Sequence, residues 1–351
     1  MKKKKITFRC DGAALPEIGT GHVRRDIAIA NMLVKKKVCL SKEISFVTRR
    51  LGSFKLGFDL VKKAGYYVES IEDKHLQWNS KKEADSISKL KSDIIVLDRL
   101  STTGNWMSHL KGKFKTLVSM DDIGSGAATA DIVINGILHD LPSKKNRYIG
   151  YKYLFLENKY FSLKKNNNKK VNNIVVSFGG YDKRNLATFF LKSLLNKNCL
   201  LKKNLNIDLL VGEIDHKTIN SWKMLIKNIL ADHKIKINLL IFPLDYFKRL
   251  SRADLAIVSG GLTVFDTISR GIPVIGLPQY KHQLKTLINL ERKNVIKLGS
   301  LGMKLDKENF INLINKMITS LEDRVFLSKN SKKLFDKKGS ERVLNILSSL
   351  F

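Results

Sequence analysis

This sequence has few means of building a disulfide or a zinc site. Its three cysteines, Cys10, Cys39 and Cys199, stand far apart and form no CxxC pair. Neither a disulfide framework nor a zinc cluster is therefore expected, and reduced thiols in a cytosol fit best. No apolar run approaches the roughly 20 residues a membrane-spanning helix needs. The basic start Met1 to Lys5 is followed by Ile6-Thr7-Phe8-Arg9-Cys10-Asp11, which is not the apolar centre of a signal peptide. The expectation is a cytoplasmic protein. Also missing are Asp-x-Asp, HExxH, a Walker A lysine motif and a serine elbow. Neither a metal nor another cofactor is expected, and a bound diphosphate would be neutralised by helix ends and basic groups.

Acidic residues are scarce as well. Asp and Glu total 32 against 64 Lys and Arg, a formal net charge of +32. Such a field attracts polyanions. The lysines, however, are spread over the whole chain among many asparagines and isoleucines, which reads as a compositional bias of every solvated face. No basic-aromatic motif accompanies them. No specific nucleic acid is expected as a partner, while a weak attraction to an anionic membrane surface fits the charge. The oligomeric state is not legible.

What is present is a length of 351 residues, 43% of them hydrophobic, which suits two α/β domains. Short apolar, β-branched runs alternate with longer helical stretches. Strands are expected at Ile6–Cys10, Ile44–Thr48, Ile94–Asp98, Thr116–Met120 and Ile132–Asn135. A second set is expected at Ile174–Phe178, Ile207–Val211, Leu239–Phe242, Leu255–Ser259, Val274–Leu277 and Val295–Leu298. Continuous apolar runs of this kind mark buried parallel strands, and their alternation with helices implies right-handed βαβ units. The expected fold is α/β of the GT-B type: two Rossmann-like, doubly wound parallel-sheet domains with a cleft between them. The domains are placed at 1–163 and 171–339. The polar, aperiodic stretch 164–170 is the linker, and a final helix, roughly Ser340 to Leu350, is placed to pack back on the first domain.

Two constellations carry chemistry. The first is Arg9-x-Asp11 with Gly19-Thr20-Gly21-His22-x-x-Arg25. Glycines let the backbone turn tightly into a helix, and the free N–H groups of that helix start suit a polar or anionic ligand. A histidine there feels the positive end of the helix dipole, which favours the neutral imidazole a general base requires. The bland alternative is a helix-start histidine without a role. The second is Ser259-Gly260-Gly261-Leu262-Thr263-x-x-Asp266, followed by Gln283. Here a strand ends and a glycine-opened helix begins, able to cradle a diphosphate without metal. Asp266 is placed to accept from ribose hydroxyls, but Thr263-x-x-Asp266 also reads as a capping box that merely starts the helix.

The pattern Arg9-x-Asp11…Ile18-Gly19-x-Gly21-His22-x-x-Arg25 resembles the opening of the pseudaminic-acid pathway hydrolases and spore coat polysaccharide proteins, the PseG/SpsG family. Further stretches match in order: Leu97-Asp98, Ser119 to Asp122, Ala130 to Asn135, Ser177-Phe178-Gly179-Gly180-x-Asp182 and Ser259 to Gln283. The likeness covers nearly the whole chain. The family is similar in fold to MurG, the lipid-II-forming N-acetylglucosaminyltransferase. Its hydrolase releases UDP from a 2,4-diacetamido-2,4,6-trideoxy sugar by attack of water, without metal. The resemblance implies His22 as the base and Arg9, Asp11, Gly19, Gly21, Arg25 and Asp98 on the sugar side. It implies Gly179, Gly180, Asp182, Ser259, Gly260, Gly261, Thr263, Asp266 and Gln283 on the nucleotide side. The chain departs from the family at Leu100, where a tyrosine is usual, at Gly150-Tyr151, where a proline is usual after the glycine, and at Asp266, where a glutamate is usual.

The function these residues imply is a metal-independent hydrolase acting on a UDP-sugar in surface-glycan biosynthesis. A GT-B glycosyltransferase with the same donor site is the alternative, and a basic nucleic-acid-binding protein is a third.

Overall fold

The computed structural model describes residues 4–13, 15, 18–71, 78–137, 145–156, 170–199, 204–212, 214–232, 235–241, 243 and 245–351. Contacts divide the chain into two compact units, Met1–Glu157 with Asp336–Phe351, and Asn158–Phe335. Of the stretch read as a linker, 164–169 lie outside the described residues.

The first unit holds strands β1 (Ile6–Cys10), β2 (Ile44–Arg49), β3 (Tyr67–Ile71), β4 (Ile94–Asp98), β5 (Thr116–Met120), β6 (Ile132–Asn135) and β7 (Arg147–Ile149). They form one sheet in the order β3-β2-β1-β4-β5-β6-β7, and every pairing between them is parallel. Successive side chains of a strand point to opposite faces, and the two cores of the unit follow that alternation. Ile6, Phe8, Cys10, Ile94 and Val96 pack on one face, while Val47, Ile95, Leu97 and Leu117 pack on the other. Helix α1 (Gly21–Lys35) covers the first face with Val23, Ile29, Ala30 and Leu33. Helix α2 (Lys55–Lys63) adds Val61 to that face, and α3 (Lys81–Ser88) and α4 (Gly104–Leu110) cover the other.

Two strands escape the apolar-run reading. Tyr67–Ile71 sits on the edge of the sheet with an exposed–intermediate alternation. Arg147–Ile149 is three residues long at the other edge. A strand solvated on one side needs no continuous apolar run.

The second unit repeats the order. Strands β8 (Asn173–Ser177), β9 (Asn206–Val211), β10 (Lys236–Ile241), β11 (Leu255–Ser259), β12 (Val274–Leu277) and β13 (Lys297–Leu298) form a parallel sheet, β10-β9-β8-β11-β12-β13. Helices α5 (Leu186–Leu194), α6 (His216–Asp232) and α10 (Lys307–Thr319) pack on it around Phe190, Trp222 and Phe310. The glycine loop after β11 leads into α8 (Leu262–Ile268), and α9 (Lys281–Arg292) follows β12, with α7 (Tyr246–Arg252) and α11 (Leu321–Leu334) completing the helices.

Helix α12 (Gly339–Ser348) belongs to the first unit. Its Val343, Leu344 and Leu347 are fully buried in the core under β1. Ser340 ties its start to Leu156, accepting from the Leu156 N–H at 3.0 Å and donating to the Leu156 carbonyl. The chain rejoins the first unit at Asp336.

Candidate functional site

In each unit the strand order reverses between two neighbours, β1 with β4 and β8 with β11. Beyond the carboxyl ends of such a pair the connecting loops part, and ligands of open α/β sheets bind there. The first constellation read from the sequence lies at one of these points and the second at the other.

At the first point Cys10 and Asp98 are paired in register. Gly19 turns the loop after β1 with φ +55°, a conformation costly for any residue with a Cβ. Gly21 is the first residue of α1 and His22 the second. This places the imidazole over the end of β4, where Nδ1 lies 2.6 Å from Oδ1 of Asp98. Facing a carboxylate, Nδ1 carries the proton, and Nε2 is left as the basic nitrogen. Arg25, one turn on, grips Asp98 with a fork, Nε to Oδ2 at 2.8 Å and Nη2 to Oδ1 at 2.6 Å. Its Nη1 bonds Asp121 at the end of β5. Burial alone would raise the Asp98 carboxyl, but Arg25 and His22 outweigh it and hold the group well below the usual carboxylate range. Asp98 is fully buried, whereas the His22 side chain keeps 18% of its surface exposed. A histidine oriented by an ionised carboxylate and open on its other side is the arrangement of a general base.

Asp26 is entirely buried as well. Burial and then the charge of Asp98 push its carboxyl well above the usual range. Two carboxyls so close settle with one ionised and one neutral.

Arg9 and Asp11 form a second cluster on the same edge. Arg9 has no exposed surface; its guanidinium meets Asp11 at 2.8 Å and Glu83 at 2.7 Å. Asp11 also accepts the Arg49 N–H at 2.8 Å. Glu83 is shared further with Arg99 at 3.2 Å and Arg49 at 3.6 Å. It also accepts the Asn79 N–H at 3.0 Å, while Ser80 caps α3 by accepting the Glu83 N–H at 3.2 Å. Ser80-x-x-Glu83 is thus a capping-box sequence whose carboxylate has been diverted to hold three arginines. The exposed indole of Trp78 lies under two of them, 4.6 Å from Arg49 and 4.5 Å from Arg99. A cavity of about 340 Å³ joins the two clusters, lined by His22 and Asp98 of the first and by Asp11, Trp78, Asn79 and Arg99 of the second.

Asp26, Glu83, Arg99 and Trp78 were not singled out from the sequence. Only buried charge betrays the first three, and nothing in a linear pattern marks Glu83 on an otherwise polar helix as fully buried.

At the second switch point Ser177 and Val258 are paired, so the loops Gly179-Gly180 and Gly260-Gly261 leave neighbouring strands. Gly179 has φ +86°. A Cβ on Gly260 would stand 2.8 Å from the Gln283 carbonyl oxygen, so α9 can approach only a glycine there. Gly261 differs: a Cβ would meet nothing nearer than Gln283 Nε2 at 3.6 Å, and its φ is −85°. Neither packing nor backbone conformation asks for glycine at 261. Its bare face is free for a ligand's approach.

The structure corrects the capping-box reading of Thr263 and Asp266. Gly261 is the N-cap of α8 without a side-chain bond, and Thr263 is already the second helical residue. Asp266 lies a turn inside, with a carboxylate oxygen 3.8 Å from Arg270. Ser259 is buried at the end of β11. Gln283 accepts the Gln279 N–H at 3.0 Å. Asp182 has both oxygens engaged, accepting the Leu186 and Ala187 N–H groups at 2.9 and 2.8 Å. It therefore secures the start of α5 rather than facing the loop end. Gln279 joins the two loops by bonding the Phe178 and Tyr181 carbonyls and the Lys183 N–H. Among the described residues no His, Cys, Asp and Glu group could hold a metal ion, and no helix is long and apolar enough to cross a membrane.

No family model matches the chain. Over 298 residues, 80% of the chain, it is 30% identical to an uncharacterized protein of Methanocaldococcus jannaschii. The match covers 56% of that relative, so the chain spans little more than half its length. Over 275 residues, 76% of the chain, it is 24% identical to the spore coat polysaccharide biosynthesis protein SpsG of Bacillus subtilis, of which it covers 79%. Among solved structures it is similar to Acinetobacter baumannii MurG, with a TM-score of 0.66, 16% identity and 99% of each chain covered. It is also similar to Anabaena HepE in complex with UDP and glucose, with a TM-score of 0.59 and 15% identity, covering 99% of this chain and all of that one. The chain has the GT-B fold, and its sequence is similar to that of SpsG.

Proposed function

We propose that this GT-B protein is a metal-independent hydrolase that releases UDP from a UDP-sugar, with His22 as the base. The observation that carries the reading is the His22–Asp98 pair, with Nδ1 fixed at 2.6 Å and the histidine lining a cavity. Nε2 takes a proton from water as the water oxygen bonds to the anomeric carbon. The bond from that carbon to the UDP oxygen breaks, and UDP leaves with the electron pair. The products are UDP and the free sugar. General base catalysis of this kind contributes on the order of 10²–10⁴ in rate.

The nucleotide is assigned to the second unit, against the bare face of Gly261 and the loop of Gly179 and Gly180. Asp266 and Gln283 border it, and Asp266 receives the ribose hydroxyls. A co-structure of the similar HepE with UDP and glucose supports a nucleotide and a sugar as ligands of such a fold. The likeness to SpsG, a spore coat polysaccharide biosynthesis protein, supports a role in surface-glycan biosynthesis.

One observation favours a glycosyltransferase: Leu100 lines the cavity where the hydrolases carry a tyrosine, so a sugar hydroxyl can replace water as the nucleophile. Incubating the protein with a panel of UDP-sugars and no acceptor separates the two. Steady release of UDP is expected; turnover that appears only when a sugar acceptor is added would establish the transferase instead.

A further inference from the structure

Arg99 is held in an unusual way. It is 4% exposed, and its guanidinium lies between two indoles, 4.5 Å from Trp78 and 4.9 Å from Trp106. Among the described residues only Nη1 has a hydrogen-bonding partner, Glu83. Nε and Nη2 are buried and have none. Arg99 lines the 340 Å³ cavity. Glu83 cannot neutralise it alone, because Arg9 and Arg49 share the same carboxylate.

A buried cation with unused donors is costly unless paired. Stacking on indole offsets part of the charge and leaves the in-plane N–H groups unsatisfied. Two neighbouring donors of one guanidinium edge match the two oxygens of a carboxylate or phosphate. Asp11 adds the complement: its Oδ2 is buried in the same lining without a hydrogen-bond donor. It would repel a bare anion placed against it, but it accepts a hydroxyl.

We infer that the Arg99 end of this cavity is a binding site for an oxyanion, a carboxylate or phosphate carried beside a hydroxyl, on the molecule the first unit holds. The inference rests on reading the first unit as the side that holds sugar or acceptor. It adds that this molecule is acidic. The indole of Trp78 offers an apolar floor for a sugar ring, and the His22 end is left for the reacting carbon.

Solution NMR of the intact chain tests this through the Arg99 Nε–H resonance, assigned by through-bond correlation to its own backbone. The probes are inorganic phosphate, glucuronate, glucose and UDP, each titrated at constant ionic strength against sodium chloride. Phosphate and glucuronate are expected to shift the resonance saturably and slow its hydrogen exchange, with glucose ineffective. In thermal melts, phosphate stabilisation is expected to weaken at least about tenfold in apparent affinity in Arg99→Lys, since an ammonium lacks the fork. If UDP shifts the resonance as well and competes with phosphate, the oxyanion is the nucleotide's diphosphate and the assignment to the sugar or acceptor is overturned. If UDP leaves the phosphate titration unchanged, it is carried by the sugar or acceptor. A resonance unmoved by either oxyanion, or moved equally by glucose and glucuronate, overturns the site. The titration is independent of turnover: if it succeeds while no UDP-sugar is hydrolysed or transferred, only the functional reading falls.

Discussion

Asp26 and Asp98 are two buried carboxyls that act on each other, and they hold a single negative charge between them. Arg25 and His22 draw that charge to Asp98, whose group is held below the usual carboxylate range, while burial and the charge of Asp98 keep Asp26 in its neutral form.

Replacing Asp26 by Asn removes a proton the folded state holds too tightly. A raised folded value contributes stability below the unfolded value of about 3.9, and that contribution disappears as pH rises through the raised value. Asp26→Asn should therefore gain stability relative to the parent as pH rises from 4 toward 8, and show least advantage at the acid end. Urea unfolding at pH 4, 6 and 8 checks it. A constant difference across that range would mean Asp26 is ionised in the folded protein.

Asp98→Ala leaves the Arg25 guanidinium, 4% exposed, with only Asp121 as its ion-pair partner. Breaking a buried pair on one side costs about 3–5 kcal/mol, and chemical denaturation should read a loss of that size. Asp98→Asn keeps the shape and is expected to unfold more easily than the parent, but less so than the alanine variant.

His22→Asn is expected to abolish most UDP release while the affinity for UDP, measured calorimetrically, stays within about twofold of the parent. Because His22 and Asp98 act as a unit, His22→Asn combined with Asp98→Asn should lower kcat little beyond the worse single variant. Near-parental kcat at saturating substrate in His22→Asn would remove it from the mechanism. A multiplied loss in the double variant would mean the pair works through separate steps.

Asp266→Ala separates cap from ligand contact. With Gly261 as the N-cap and no side-chain cap bond, no cap is lost, and removing the carboxylate 3.8 Å from the buried Arg270 should cost about 0.5–3 kcal/mol of stability. UDP affinity should fall at least tenfold, with uracil binding unchanged. Unchanged UDP affinity would take Asp266 out of the nucleotide site.

UDP should stabilise the protein by mass action, about 2.7 kcal/mol at a hundredfold excess over Kd, with or without EDTA. Loss of the thermal shift on chelation would show that a divalent ion carries the diphosphate.

Most strands of both sheets follow from features the sequence displays openly. Nine of the eleven apolar runs matched buried strands because a strand covered on both faces must be largely apolar, as Ile94–Leu97 and Val274–Leu277 are. The edges Tyr67–Ile71 and Arg147–Ile149 were illegible because solvent, not core, meets one side of them. Of the site, His22, Arg25, Arg9 and Asp11 could be named in advance, since glycines and a strand end frame them, and Asp98 through the family resemblance. Their partners could not. Asp26 sits on a helix face among Ala28 and Ile29 where a leucine would do, and Glu83 lies in Lys81-Lys82-Glu83-Ala84-Asp85, where every charge looks solvated. Burial of those two is decided by which strand stands beside which, and that is absent from any local window. Thr263-x-x-Asp266 failed for a related reason: Gly261 already occupied the cap, so the signature fell two residues too late.

The helix Gly339–Ser348 has a consequence for biosynthesis. Val343, Leu344 and Leu347 complete a core whose first strand is Ile6–Cys10, and between them the ribosome makes all of Asn158–Phe335. At about 5–20 residues per second, the earliest-made strand waits roughly ten to thirty seconds longer for its last helix than it would in a domain of contiguous chain. The nascent polypeptide thus finishes its second-made unit before it can close its first, and the exposed underside of β1 needs shielding throughout that interval.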